Sequence, residues 1–177
     1  MLVTGLPGTG KSTVAEIVAV AVSASVLSHD WAMSGLRRYP EIEAALGTMD
    51  PPGHRAVGWS ILGSLARLQL RHDRWAVLDG VARAPEIDGC RAAAEAEGGG
   101  MVVIVTECSD ETIHRHRIET RQRDIPDWYE LTWSQVERSR ATWEPPEGAA
   151  VFLDTAAPVS AVVERLRDRF GWMTTTP

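Results

Sequence analysis

The sequence predicts a three-layer α/β fold, with a central five-stranded parallel sheet flanked by helices and a helical lid. Three observations carry this. Short apolar runs alternate with longer helical patterns, a glycine-rich turn separates the first run from the first helix, and a long helical excursion parts the fourth run from the fifth. One domain over residues 1–177 accounts for the whole chain, which has neither an internal repeat nor an interdomain linker.

In chain order, strands are expected at residues 2–4, 25–28, 75–78, 101–106 and 150–153. The apolar run 14–27, with Lys11 before it, imitates the core of a signal peptide. Glu16 interrupts that run, and it is too short to span a bilayer, so a cytoplasmic protein without a membrane partner is expected. A helix is expected over 54–72, where Val57, Ile61, Leu65 and Leu68 form one apolar stripe at spacings of four, four and three. Gly98-Gly99-Gly100 breaks the chain before the fourth strand.

Residues 109–147 read as two helices joined by a turn. Ser109 caps the first, Asp110 and Glu111 occupy its first turn, and Asp124-Ile125-Pro126-Asp127 ends it. Thr132-Trp133-Ser134-Gln135 has the T-x-x-Q form of a capping box for the second, which Pro145-Pro146 closes. An excursion of this length must leave the sheet, which makes it the candidate lid. The last helix, 158–170, begins with Pro158, buries Val162, Val163, Leu166 and Phe170, and stops at Gly171. The tail 174–177 is expected to fray.

Composition narrows the function. With 44% hydrophobic and 24% charged residues, the 177-residue chain has an ordinary soluble make-up and can bury a substantial core. Its net charge of -6 weighs against a protein that coats nucleic acid, which needs clustered positive charge. Of 18 basic residues only Lys11 is lysine, and there is no asparagine. Codon bias accounts for the arginine excess, yet the bias still excludes motifs. The [NT]-K-x-D guanine selector and the strand lysine and catalytic-loop asparagine of protein kinases cannot be assembled. An AAA-type ring motor would need a longer module with an added helical domain. Cys90 and Cys108 are isolated and are read as reduced core thiols, a disulfide or redox role being the alternative.

Gly5-Leu6-Pro7-Gly8-Thr9-Gly10-Lys11-Ser12 matches G-x-x-x-x-G-K-[ST] in full, between an apolar strand and an apolar helix as the motif requires. Glycines let successive backbone N–H groups turn inward as an anion nest at a helix N-terminus. Lys11 can reach the β and γ phosphates of ATP, and the Ser12 hydroxyl can ligate Mg²⁺. Asp79, ending the apolar run Val77-Leu78, is the candidate second metal residue, an exposed strand-end carboxylate; the alternative is turn chemistry at Asp79-Gly80. What remains is a compact P-loop kinase or a simple ATPase.

A kinase needs a base facing the phosphates, and the run ending Ser28-His29-Asp30 offers Asp30 to orient an acceptor hydroxyl and take its proton. Capping of the following helix is the alternative, and His29 is expected to be structural and to point the other way. Arg115, Arg117, Arg121 and Arg123 crowd the lid, with Arg117 and Arg121 at i and i+4 on one helix face. Folded over the P-loop, that face would neutralise the transferring phosphoryl group; a solvated face or a nucleic-acid contact is the alternative.

The segments GLPGTGKST, VLSHD, VLDGVAR, HRHRIETRQRDIP and VFLDTAAP, in that order, resemble the small P-loop kinases. These include polynucleotide 5′-hydroxyl kinases, zeta toxins, chloramphenicol phosphotransferase and gluconate kinases. The resemblance implies a P-loop kinase fold, Mg·ATP as phosphoryl donor, and an ATP site of Gly5, Pro7, Gly8, Thr9, Gly10, Lys11, Ser12 and Thr13. It also implies Asp30 as base, Arg117 and Arg121 on the ATP phosphates and adenine, and the loop with Thr155, Ala156 and Pro158 beside the adenine. Arg37, Arg38, His54, Arg55, Trp59 and Arg83 are the candidates for the acceptor side. Met33 stands where polynucleotide kinases often carry an arginine. The reading is therefore a kinase acting on a hydroxyl of a small-molecule acceptor, with Lys11, Asp30, Arg117 and Arg121 catalytic and Ser12 and Asp79 at the metal. The alternatives are a polynucleotide 5′-hydroxyl kinase and a non-catalytic ATP-binding regulatory module.

Overall fold

The computed structural model describes residues 1–147 and 150–171. The expected fraying of 174–177 lies outside them. Five strands, β1 (Leu2–Thr4), β2 (Val26–Ser28), β3 (Val77–Asp79), β4 (Val103–Glu107) and β5 (Ala150–Asp154), form one parallel sheet in the order β2-β3-β1-β4-β5. Among the described residues seven helices connect them and an eighth follows β5: α1 (Lys11–Ala21), α2 (His29–Arg37), α3 (Pro40–Gly47), α4 (Pro51–Leu70), α5 (Ala84–Glu95), α6 (Glu111–Thr120), α7 (Trp133–Arg140) and α8 (Val159–Phe170).

Side-chain alternation along the strands explains the three layers. Val3, Val77 and Ile104 point to one face, where Val14, Val18, Val162 and Leu166 of α1 and α8 cover them. Their neighbours Leu2, Leu78, Val103 and Val105 point to the other, under Trp59 and Leu62 of α4 and Ile87 of α5. A sheet apolar on both sides must be covered on both. Strand register then builds the site. Val3 pairs with Asp79 and Ser28 pairs with Asp79, so the carboxyl ends of β1, β2 and β3 lie side by side. The chain turns from the β2 side of β1 to the β4 side at this point, the reversal where open α/β sheets bind ligands.

Several expectations are corrected. The buried face of α4 carries Trp59 and Leu62, flanked by Gly58 and Gly63, while Leu65 and Leu68 are 41% and 50% exposed. Close approach of α2 decides this: a Cβ on Gly58 would lie 2.5 Å from His29 Nε2, so only glycine lets the helices meet with that face inward. In the excursion, Asp110 rather than Ser109 caps α6, accepting from Ile113 N at 3.0 Å, and Ser109 Oγ instead donates to Asp154 Oδ2 at 2.6 Å. Helix α6 stops at Thr120, before Arg121, and α7 stops at Arg140, short of Pro145. The predicted capping box is present at Thr132 and Gln135. Pro158 precedes α8 as its N-cap, and Val163 and Phe170 are only partly buried. Both thiols are free, but only Cys90 is buried in the core; Cys108 is half-buried.

Candidate active site

The loop between β1 and α1 is held by its neighbours. Gly5 has φ 144°, and a side chain there would collide with the Thr106 carbonyl oxygen; Gly8 has φ 83°, and a Cβ would lie 2.6 Å from Ile118 Cδ1. Thr9 Oγ1 turns inward, donating to Leu6 O at 2.7 Å and sitting 2.7 Å from Thr106 Oγ1. From behind, His114 Nε2 donates to Pro7 O at 2.7 Å, and Arg140 Nη2 donates to His114 Nδ1 at 3.3 Å. Burial lowers His114, the bond to Pro7 O opposes it, and Arg140, Lys11 and Arg117 act with the burial. Helix α1 has no side-chain cap and no acidic residue in its first turn, which leaves its positive end open to an anion.

Lys11 Nζ donates to Leu6 O at 2.9 Å. Burial lowers its ammonium, against the opposing charges of Asp79 and Asp30. Ser12 Oγ donates to Asp79 Oδ2 at 2.8 Å. Contrary to expectation Asp79 is 5% exposed, because β3 runs through it and neighbours cover both flanks. Burial raises its carboxyl, with Asp30 and Glu16 adding to the rise and Lys11 and Ser12 opposing it. Asp79 Oδ1 is buried without a hydrogen-bond partner. A hydroxyl beside a carboxylate with one spare oxygen fits Mg²⁺, which takes oxygen ligands and keeps waters and substrate phosphates in the rest of its shell. No group of three His, Cys, Asp or Glu side chains at metal-binding distance occurs among the described residues. Ser12 and Asp79 are thus the protein groups that could hold the ion.

Lys11, Ser12, Thr13, Asp30 and Asp79 line one cavity of about 990 Å³, together with Pro7, Gly8, Gly10, Arg117 and Arg121. Asp30 lies in the first turn of α2, and Ser28 occupies the N-cap position, so Asp30 does not cap the helix. Arg123 Nη1 donates to Asp30 Oδ2 at 2.6 Å, and His29 Nδ1 lies 3.6 Å from Asp30 Oδ1. Burial would raise the Asp30 carboxyl, but His29, Arg123 and Lys11 together hold it below its ordinary value. His29 therefore does not point away. The strand ends at Ser28, and helical geometry brings His29 and Asp30 to the same cavity.

Arg117 grips the loop after β5, with Nη1 donating to Thr155 Oγ1 at 3.0 Å and Nη2 to Thr155 O at 2.8 Å. Arg121 shares no helix face with it, because its ψ of 144° takes it out of α6. Arg121 Nε lies 3.1 Å from Glu130 Oε2, and its buried Nη2 has no hydrogen-bond partner. Thr155 reaches the cavity wall with Ala157 and Val159; Gly5, Thr9, Ala156 and Pro158 do not line it.

On the acceptor side His54, Arg55 and Arg83 line the cavity. Arg55 Nε donates to Glu86 Oε1 at 3.2 Å, and Arg83 Nη1 and Nη2 donate to the carbonyl and hydroxyl of Thr142. Burial, then Arg37, His29 and Arg55, lower His54. Trp59 does not line it: its ring is buried in the core and its Nε1 donates to Val81 O at 3.3 Å. Arg37 and Arg38 also lie off the wall, Arg37 over Trp128 and Tyr129 and Arg38 3.7 Å from Asp127. Sequence reasoning missed Arg123 as the partner of Asp30, and Trp128 and Tyr129 on the wall. It also missed His114, although a histidine four residues before Ile118 on one helix face was a readable sign of burial.

A glycine nest at a helix N-terminus, a half-buried lysine, a serine–aspartate pair and a parallel 2-3-1-4-5 sheet define a P-loop protein of kinase-like fold. The chain belongs to the AAA domain family AAA_33, whose profile matches residues 1–146. It is similar in structure to a sugar kinase from Janibacter sp. HTCC2649, at 20% identity over 99% of this chain and 97% of that one, with TM-score 0.69. It is similar too to a gluconokinase from Sinorhizobium meliloti 1021, at 20% identity over 98% and 96%, with TM-score 0.65. At this identity the likeness is one of fold. No curated protein matches the chain. No helix among the described residues is long and apolar enough to cross a membrane.

Proposed function

We propose that this chain is an ATP- and Mg²⁺-dependent kinase that transfers a γ-phosphoryl group to a hydroxyl of a small-molecule acceptor, with Asp30 as base. One observation carries the reading: Asp30 and the Lys11–Ser12–Asp79 group line the same cavity. Bound Mg·ATP would supply the phosphoryl group and a divalent charge at its oxygens. Lys11 and the N-terminal turn of α1 bind the phosphates, and Ser12 and Asp79 hold the ion. Arg117 and Arg121 meet the donor from the lid side and exclude water. Asp30 accepts a hydrogen bond from the acceptor hydroxyl. As the acceptor oxygen bonds to phosphorus and the β–γ bridge breaks, the hydroxyl proton passes to Asp30 and ADP leaves.

The sugar and gluconate kinases of similar fold favour a small polyol as acceptor. A labelled γ-phosphoryl transfer screen over sugars, nucleosides, aminocyclitols and oligonucleotide ends tests this. Transfer to a small hydroxyl compound, lost in Asp30→Asn with ATP binding retained, is the expected result. Measurable ATP binding with transfer to no class would refute it, and transfer only to oligonucleotide ends would replace the acceptor class.

A further inference from the structure

We propose that Arg123 is a positioning residue for phosphoryl transfer, holding the Asp30 carboxylate from the α6–α7 loop so that one oxygen faces the acceptor. The inference rests on the kinase reading of the site, with Asp30 as its base.

The arginine is itself fixed before it meets Asp30. Its main-chain N donates to Glu130 Oε1 at 2.8 Å, its Nε to Glu130 Oε2 at 3.2 Å and its Nη2 to Tyr129 O at 2.8 Å. That leaves Nη1 for Asp30 Oδ2, at 2.6 Å, with both side chains partly shielded from water at 21% and 35% exposure. Three donors in three directions use the planar fork, which a lysine ammonium does not reproduce. The other carboxylate oxygen stays open. His29 Nε2 lies 3.2 Å from Arg55 O, and its Nδ1 lies 3.6 Å from Asp30 Oδ1, beyond hydrogen-bond distance. Oδ1 is therefore the oxygen that can accept from the acceptor hydroxyl. In a loose phosphoryl transition state the base serves mainly by position, so a carboxylate held ionised in one orientation suits the chemistry.

The contact also ties that geometry to the seating of the loop. Around the Arg123–Asp30 pair, Ser34 Oγ donates to Pro126 O, Arg38 Nε lies 3.7 Å from Asp127 Oδ2, and the Arg37 guanidinium lies 5.2 Å and 5.1 Å from the ring centres of Trp128 and Tyr129. Every one of these joins α2, which carries Asp30, or its C-cap Arg38 to the segment 123–130. The base and its anchor come together only when that segment lies on α2.

The test is a double-mutant cycle read by γ-phosphoryl release from ATP, with water and with any acceptor found in the transfer screen. ATP affinity is measured separately by fluorescent-nucleotide binding. Arg123→Gln is expected to lower kcat roughly 10- to 100-fold, part of the 10²–10⁴ a positioned base contributes, with KM for ATP within about twofold. Retained ATP binding shows that the variant has folded, and Arg123→Lys recovers part of the rate. In an Asp30→Asn background the Arg123→Gln change should cost nothing further. Parental kcat in Arg123→Gln overturns the proposal. So does an equal loss with and without Asp30, or an effect confined to KM for ATP. If Asp30→Asn alone keeps parental turnover, the base assignment falls and this role falls with it. If Asp30→Asn is impaired while Arg123→Gln is not, only the Arg123 role is lost.

Discussion

Gly8→Ala puts a methyl group between the phosphate loop and α6, and its cost can be worked from the geometry. At φ 83° a residue with a Cβ pays about 1–2 kcal/mol for the left-handed conformation. The new Cβ would lie 2.6 Å from Ile118 Cδ1, 2.9 Å from Ile118 Cγ1 and 3.1 Å from His114 Cδ2. Ile118 is buried, so its side chain has to leave its rotamer, at a further cost of about 0.5–1.5 kcal/mol. The sum, about 1.5–3.5 kcal/mol, corresponds to roughly 3–14 °C in Tm for a chain of this size. Thermal unfolding with and without Mg·ATP reads the stability, and calorimetry reads ATP affinity, which should fall because the strained turn carries the anion nest. In a cycle with Ile118→Ala, the double variant should lose less than the sum of the singles, since only the steric part is relieved. An unchanged Tm and ATP affinity in Gly8→Ala, or strict additivity in the cycle, would refute the contact between this loop and α6.

Lys11→Ala should abolish transfer while leaving the fold intact by circular dichroism. Because Lys11 is the chain's one lysine, an amine-directed reagent should label it in ATP-free protein, and ATP should protect it by peptide mapping. Asp79→Asn should raise the Mg²⁺ concentration needed for half-maximal turnover. Burial raises the Asp79 carboxyl, so its contribution to stability is full below the ordinary carboxylate range and is lost as pH rises through the raised value. Asn at this position should remove that loss from the pH profile of metal-free unfolding. Leu62→Ala should cost about 2–5 kcal/mol in denaturant unfolding and Leu65→Ala under about 1 kcal/mol, because the first faces the sheet and the second faces water. Equal costs would overturn the assignment of the buried face of α4.

The phosphate end of the site is legible in the sequence because its residues are contiguous: Gly5 to Ser12 bring strand, turn and helix N-terminus in one stretch. The two-faced burial of Leu2-Val3 and Val77-Leu78 was equally readable as apolar runs too short for helices. Pairings across the chain were not. Asp30 and Arg123 are separated by 93 positions, and no local pattern records that they meet. The stripe Val57, Ile61, Leu65, Leu68 satisfied helical periodicity, yet the close approach of His29 to Gly58 turned α4 toward its glycines and Trp59. Arg121 looked like a helical partner of Arg117 because i, i+4 spacing presumes that the helix continues, and its backbone turns extended one residue too early. Asp79 looked exposed because a strand end next to glycine usually is; here the neighbouring strands extend as far as it does.

The excursion between β4 and β5 divides mechanically at Thr120. Before that residue, α6 is bolted to the phosphate loop by His114 and by Ile118 against Gly8, and to the loop after β5 by Arg117 on Thr155. After it, segment 121–131 carries no helix and is fastened to α2 instead. Damage to the two halves should therefore be told apart by phenotype: lesions in α6 or at Arg121 should appear as lost nucleotide affinity, and lesions in 122–131 as lost turnover by a protein that still binds ATP.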